Sequence, residues 1–394
     1  VAGVTSRKAF LGAAGSLAIA GAIPRVAQAS PYNPPISGLA TIAVCGPFTG
    51  DDQKLGEQIA NGVRAATDDA NALRGPLDRA YAMRTFDDEN LLATGIQQAG
   101  FANDDSTIFA VVGHLSGRIT EAAMDAYSRA GMPVICPAST YERLTHHGYN
   151  DLLRLATRDS VEGELGARYI AAQVKPSSIV TLTQDGDYGA DCAQGFVAEI
   201  TGATKITSNA LLFPWEKPKF ADVAKEALSK NPDVIYLAGL TKDMGPIVPL
   251  LRAGGFTGQF FASQGFFDPM TIAKYGKDVE GLTVSSSMPP LQIAPAAFRI
   301  RADFERKYGP MTPLSTFGYA AAQIIVAIVR RTNAQDRVPI LHAFNSAPTF
   351  NTVAGDFQFT NTGDPLNPQS YFYTVKNGQW KYVGSALPST FVVK

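Results

Sequence analysis

Three cysteines and four histidines in 394 residues leave little material for metal or thiol chemistry. Cys45, Cys136 and Cys192 cannot all pair within one chain, and their wide spacing fits neither a zinc site nor a thioredoxin motif. Buried free thiols are the expectation, with a single disulfide left open. None of His114, His146, His147 and His342 has the helical i, i+4 spacing with a carboxylate that a zinc hydrolase needs. The chain also lacks a G-x-S-x-G elbow, a G-x-x-x-x-G-K-[ST] phosphate loop and a G-x-G-x-x-G after its first strand. No metal, no cofactor and no catalysis are therefore expected. His146-His147, in a polar turn before Gly148, reads as a solvated loop.

Charge of one sign is missing too. Lys and Arg total 34 against 35 Asp and Glu, so there is no basic field for nucleic acid. After the first thirty residues no run approaches the roughly 20 apolar residues of a membrane-spanning helix. Arg7 and Lys8 precede the apolar stretch FLGAAGSLAIAGAI, which leads to small residues at Ala27-Gln28-Ala29. This three-part pattern predicts an export signal over residues 1–29 and a soluble, exported mature chain. Ser6–Leu11 resembles a twin-arginine motif with Lys8 in place of the second arginine, which leaves the route open. Residues 30–38, SPYNPPISG, read as a tether.

A hydrophobic content of 45% with 18% charged residues is globular, and the length is too great for one ordinary core. From Leu39 short β-rich runs alternate with helical patterns: LATIAVCGPF, GEQIANGVRAATDDANA, AYAMRTFDD, LLATGIQQAGFAND, IFAVVGH, ITEAAMDAYSRAG and MPVICPAS. That order predicts βαβ units and a parallel sheet. After LLRLATRDS the pattern restarts with GELGARYIAAQV, SSIVTLTQ and YGADCAQGFVAEI, and continues through DVIYLAG and QFFASQG as a second α/β lobe. Near the C-terminus Asn377-Gly378 marks a β-hairpin.

Open α/β sheets bind ligands beyond the carboxyl ends of their strands, and polar residues collect there in this chain. GHLSGRIT follows IFAVV and opens a helix, so Ser116, Gly117 and Arg118 offer backbone N–H, hydroxyl and guanidinium donors to an anion. Ala138, Ser139 and Thr140 follow MPVIC with a carbonyl and two hydroxyls. In the second lobe Asp185, Asp187 and Tyr188 follow SSIVTLT, Tyr236 lies in DVIYLAG, and Gln264 follows QFFAS.

The collinear order of GPFTGDDQKLGEQIANG, TFDDE, VVGHLSG, PVICPAST, YERLT, QDGDYGAD, DVIYLAGLTKDMG and LLRAGG with GQFFASQG resembles the leucine/isoleucine/valine family of type I periplasmic binding proteins, from about Leu39 to about Val383. The resemblance implies two doubly wound parallel-sheet lobes joined by three crossover strands near Thr157, Leu282 and Thr352. Lobe 1 would comprise 39–157 plus 282–352, and lobe 2 would comprise 158–281 plus 353–394. It implies a monomer that closes on a small amino acid, carboxylate or amide and delivers it to the membrane permease of an ABC importer. The alternative is a ligand-sensing module of the same fold. The implied ligand residues are Leu55, Ser116, Gly117, Arg118, Ala138, Ser139, Thr140, Asp185, Tyr188, Tyr236 and Gln264. Gln264 stands where amino-acid binders of the family carry an acidic partner for the ammonium, and Asn90 and Ser116 stand where the family has a cysteine pair. The first departure predicts a ligand without an amino group, unless Asp185 or Asp187 supplies the charge.

Overall fold

The computed structural model describes residues 38–74, 79–184, 187–213, 219–291, 294–346, 348–387 and 390–393. The expected export signal and nearly all of the tether lie outside the described residues.

The strands are β1 Leu39–Gly46, β2 Ala80–Asp87, β3 Ile108–Gly113, β4 Val134–Cys136, β5 Leu152–Arg154, β6 Ser178–Gln184, β7 Thr207–Phe213, β8 Val234–Ala238, β9 Gln259–Ala262, β10 Thr283–Ser286, β11 Phe350–Thr352, β12 Gly355–Phe357, β13 Ser370–Lys376, β14 Gln379–Leu387 and β15 Thr390–Val393. The helices are α1 Gln53–Ala72, α2 Leu92–Asp104, α3 Gly117–Arg129, α4 Asp159–Gln173, α5 Asp187–Ala203, α6 Phe220–Ser229, α7 Thr241–Met244, α8 Ile247–Ala253, α9 Pro269–Tyr275, α10 Pro295–Tyr308, α11 Pro313–Thr332 and α12 Val338–Asn345.

The first sheet has the order β2-β1-β3-β4-β5 and is parallel throughout. Its all-apolar strand IFAVVG is buried along its whole length because helices cover both faces. On one face β1 and β3 pack with α1 and α11 around Ile42, Val63, Phe317 and Ile325; on the other Val111, Met124 and Tyr127 close the core. The second sheet has the order β15-β14-β13-β10-β9-β8-β6-β7. It is parallel from β7 to β10 and antiparallel beyond, since β13 and β14 form the hairpin whose turn residues Asn377 and Gly378 both take positive φ. The sheet is thus mixed rather than wholly parallel.

The joints differ from the sequence expectation at two places. Thr283–Ser286 pairs with β13, and its first two residues with β9, inside the second sheet, so the chain leaves that lobe after Ser286 rather than at Leu282. Val353, Ala354 and Phe359 are buried in the first core, so the return passage follows Phe359 rather than Thr352. Apolar side chains decide both boundaries: the chain stays in a lobe while its side chains have a core to enter. The first passage runs between Arg154 and Asp159, the segment that contains Thr157.

Among the described residues one helix, α11, is long and apolar enough to cross a membrane by length and composition, which the sequence reading did not foresee. Most of it is buried against the first sheet and α1, as a core helix.

Arg154, with no exposed surface, ties two of the passages together. Its guanidinium donates to Asp364 Oδ1 at 2.6 and 2.9 Å, to the Tyr141 carbonyl at 2.6 Å and to Thr145 Oγ1 at 2.7 Å. Asp364 belongs to the return passage, so this pair anchors the hinge to the first lobe. Replacing Asp364 by Asn leaves the guanidinium buried beside a neutral partner and should destabilise the protein by about 3 kcal/mol, the low end for breaking a buried pair. Urea unfolding checks this; a change below about 0.5 kcal/mol would show that the ion pair does not hold the joint.

Candidate ligand-binding site

The turns expected to bind a ligand do sit at the carboxyl ends of parallel strands. Leu55, exposed, stands on the first turn of α1 after β1. Ser116 is the N-cap of α3 after β3, and its hydroxyl does not cap the helix. Its carbonyl instead accepts from both the N–H and the hydroxyl of Thr120. Gly117 is packed so closely on the next turn that a Cβ would overlap Ser139 Oγ and the Tyr141 side chain. This contact locks the Ser116–Arg118 turn against Ala138–Thr140. Arg118 itself is exposed and lies near the Tyr141 phenol, whose pKa it lowers while burial and Glu121 raise it.

Beneath the first turn lies a polar network that sequence reading missed. The His114 ring, fully buried, sits 2.6 Å from Asp88 and 3.0 Å from the Tyr127 hydroxyl. Tyr127 in turn donates to Cys45 Sγ at 3.3 Å. These contacts fix the residue that begins the GHLSG turn. Asp88, His114 and Tyr127 lie far apart in sequence, and nothing in their spacing signals the cluster. His146 and His147 are on the surface, near Glu142 and Glu121 respectively. The three cysteines are free and buried.

In the second lobe the Tyr188 hydroxyl accepts the Gly265 N–H at 2.7 Å, which pins the turn carrying Gln264. The Gln264 side chain has a defined orientation. Its Oε1 accepts the Ser287 N–H at 2.7 Å and the Ser287 hydroxyl at 2.9 Å, both of which require oxygen or suit it. No described protein atom accepts from its Nε2, so the amide presents its NH2 outward from this clamp. Tyr236 corrects the sequence expectation. It is fully buried in β8, stacked on Phe196 at 4.1 Å, so it serves the core beneath the site rather than a ligand. Asp185 lies outside the described residues.

The first turn of α4 joins the two halves. The Asp159 N–H donates to the Thr140 carbonyl at 2.9 Å, and the Asp159 carboxyl bonds the Thr140 hydroxyl. One turn on, Glu162 Oε1 accepts the Gln264 N–H at 2.7 Å and the Ser285 hydroxyl at 2.5 Å. Both carboxyls are buried, and desolvation pushes both above the usual carboxylate range. The sequence reading starts this helix at Gly163, which hides both acids. A separate cavity of about 270 Å³ opens among the passages, lined by Leu155, Thr157, Ser287, Phe317, Thr352 and Gln369 among others. None of the expected ligand residues lines it.

Two α/β lobes tied by three passages, with clamped polar turns from both meeting at the joint, define a two-lobed solute-binding protein. The chain belongs to the periplasmic binding protein family, whose model matches residues 40–379. It is 27% identical over 326 residues to the Leu/Ile/Val-binding protein of Escherichia coli K12, covering 82% of this chain and 87% of that one. Among solved structures it resembles a leucine binding protein, LivK, of Thermotoga maritima, with a TM-score of 0.77 and 23% identity over 89% of this chain and 99% of that one. It also resembles an ABC transporter solute binding protein of R. palustris in complex with benzoate, with a TM-score of 0.71 and 19% identity over 91% and 98%. At such identities the structural likenesses speak for the fold.

The lock between the two first-lobe turns is testable. Gly117→Ala places a methyl group against Ser139 and Tyr141 and should cost about 1–3 kcal/mol of stability by overpacking. Denaturant unfolding measures it, and an unchanged midpoint would mean that the turns are free to separate.

Proposed function

We propose that this chain is an exported solute-binding protein that closes its lobes on a small carboxylate or amide lacking an amino group, and presents the closed form to the membrane permease of an ABC importer. The names of its relatives support the transport role, and the three-part pattern at residues 1–29 supports export. It acts as a monomer and changes no covalent bond in its ligand. Lobe 1 is taken as 39–157 plus 288–359, and the rest of the described chain as lobe 2.

The observation that carries the ligand reading is the Gln264 clamp. With Oε1 spent on Ser287, the side chain offers two N–H donors and no acceptor. An ammonium meeting that NH2 gains nothing, whereas a carboxylate or carbonyl oxygen gains a hydrogen bond. Glu162, which supports the same turn, does not replace the missing partner, because Oε1 is committed to Gln264 N–H and Ser285 and the residue has no exposed surface. On the first lobe, Ser116 and the start of α3 suit an anionic group. Hinge closure then follows from differential affinity: a ligand held by both sets of turns stabilises the closed form.

A thermal-shift panel on the mature chain from Ser30 tests this. Aliphatic acids, aromatic acids and small amides should include the stabilising ligand, and leucine, isoleucine and valine should leave the melting temperature unchanged. Gln264→Glu keeps one oxygen on Ser287 and adds a negative one, so it should raise affinity for the amino acids about ten- to a hundredfold, matching the roughly 1.5–3 kcal/mol of a charge-assisted bond. Stabilisation of the unaltered protein by leucine at micromolar concentration would overturn the ligand reading.

A further inference from the structure

We propose that Asp159, Glu162 and Cys192 form a site for one divalent cation of the zinc class, packed behind the solute-binding turns. One carboxylate oxygen from each acid and the Cys192 sulfur all lie within 4.8 Å of one another, and all three residues are buried. The set is two hard oxygens and one soft sulfur, a combination that suits zinc or cadmium better than magnesium or calcium. Cys192 Sγ is 3.9 Å from Asp159 Oδ1. Zinc bonds of about 2.3 Å to sulfur and about 2.1 Å to oxygen, held tetrahedrally, put those atoms about 3.6 Å apart, so a small inward shift completes the geometry.

Unpaired groups point independently to an occupant. Asp159 Oδ2 and Glu162 Oε2 are buried without a hydrogen-bond partner, although Glu162 Oε1 accepts two hydrogen bonds. The Tyr236 hydroxyl, in a residue with no exposed surface, is also unpartnered, and it lies in the electrostatic field of Cys192, Glu162 and Asp159 together. Buried polar atoms in native proteins are nearly always satisfied, and here each of the two acids beside one thiol carries an oxygen that is not.

Other charges nearby do not fill the role. Arg154, the cation that acts on Asp159, spends its donors on Asp364, Tyr141 and Thr145, while Asp191 and Glu142 add further negative charge around Cys192. The backbone is built for the approach as well. A Cβ at Gly163 would overlap the Cys192 carbonyl, and one at Gly195 would overlap the Ser160 carbonyl, so α4 and α5 touch along the turn that brings the thiol to the acids. Binding would displace the thiol proton to solvent and leave a thiolate on the metal. Sequence spacing hides such a site, because its ligands come from two helices and only one is a cysteine.

The test strips the mature chain of metal with a chelator, unfolds it, and refolds it with Zn²⁺ or Cd²⁺ before removing free ion. One equivalent should remain bound, the melting temperature should rise, and Cd²⁺ should produce an ultraviolet thiolate charge-transfer band. Cys192→Ser should abolish the band and weaken retention about tenfold or more while leaving the metal-free melting curve in place. A Cys45→Ala, Cys136→Ala double variant should keep the band. If the unaltered protein retains no ion and shows no band, the carboxyls hold protons and the site is overturned. No solute is present in this assay, so its result is independent of the ligand reading above.

Discussion

Everything in the site hangs on the first turn of one helix. Asp159 and Glu162 are one turn apart at the start of α4, and each reaches a different lobe's binding turn: Asp159 the Thr140 turn, Glu162 the Gln264 turn and the passage strand β10. Acidic groups at a helix N-terminus meet a favourable dipole, but these are also buried, where desolvation works against their charge. The fold tolerates that cost because each carboxyl receives strong donors that no apolar side chain could satisfy. A methyl in place of the Glu162 carboxyl would leave the Gln264 N–H and the Ser285 hydroxyl unpaired in the joint, and one in place of the Asp159 carboxyl would leave the Thr140 hydroxyl so. The acids are therefore positioning groups before they are anything else.

Much of the architecture was legible because periodicity is a local signal. IFAVVG and DVIYLAG are buried on both faces, and the alternation of such runs with amphipathic helices predicts the parallel order that the sheets show. Asn377-Gly378 predicts its hairpin from φ preference alone. Lobe boundaries were read less well, since whether Thr283–Ser286 extends the second sheet depends on pairing with β9, a contact that no local pattern encodes. The site was legible in part. Turn residues at strand ends are found by their place in the βαβ order, and the structure puts Ser116, Thr140, Tyr188 and Gln264 in or directly after such turns. Tyr236 fails by the same rule: it lies within the strand rather than beyond its end, and its ring enters the core. Asp88, His114, Asp159 and Glu162 act through long-range contacts, and only the folded chain brings them together.

A protein that closes on its ligand must be rigid within each lobe and yielding between them. The contacts observed divide along that line. Within the first lobe, His114 held between Asp88 and Tyr127 fixes one turn, and Gly117 against Ser139 and Tyr141 fixes that turn to its neighbour. Within the second, Tyr188 holds Gly265. Arg154 keeps the return passage on the first lobe through Asp364. The cavity lined by Leu155, Thr157, Ser287 and Gln369 lies among the passages themselves, where the backbone has to bend on closure.

This division bears on specificity. Ser287, which orients Gln264, follows β10 and begins the second passage, so the donor face shown to a ligand is set by the strand that links the lobes. A change of passage geometry would reach the ligand through Ser287 before it reached any residue in direct contact. Negative charge is present in this lobe, yet it sits one layer below the turn, at Glu162, where it is consumed in holding Gln264 N–H and Ser285. The same carboxylate cannot both hold the turn and meet an ammonium at its tip. The acid that supports this turn is thus spent on the Gln264 N–H and Ser285, and the Gln264 side chain keeps two N–H donors beside its committed oxygen.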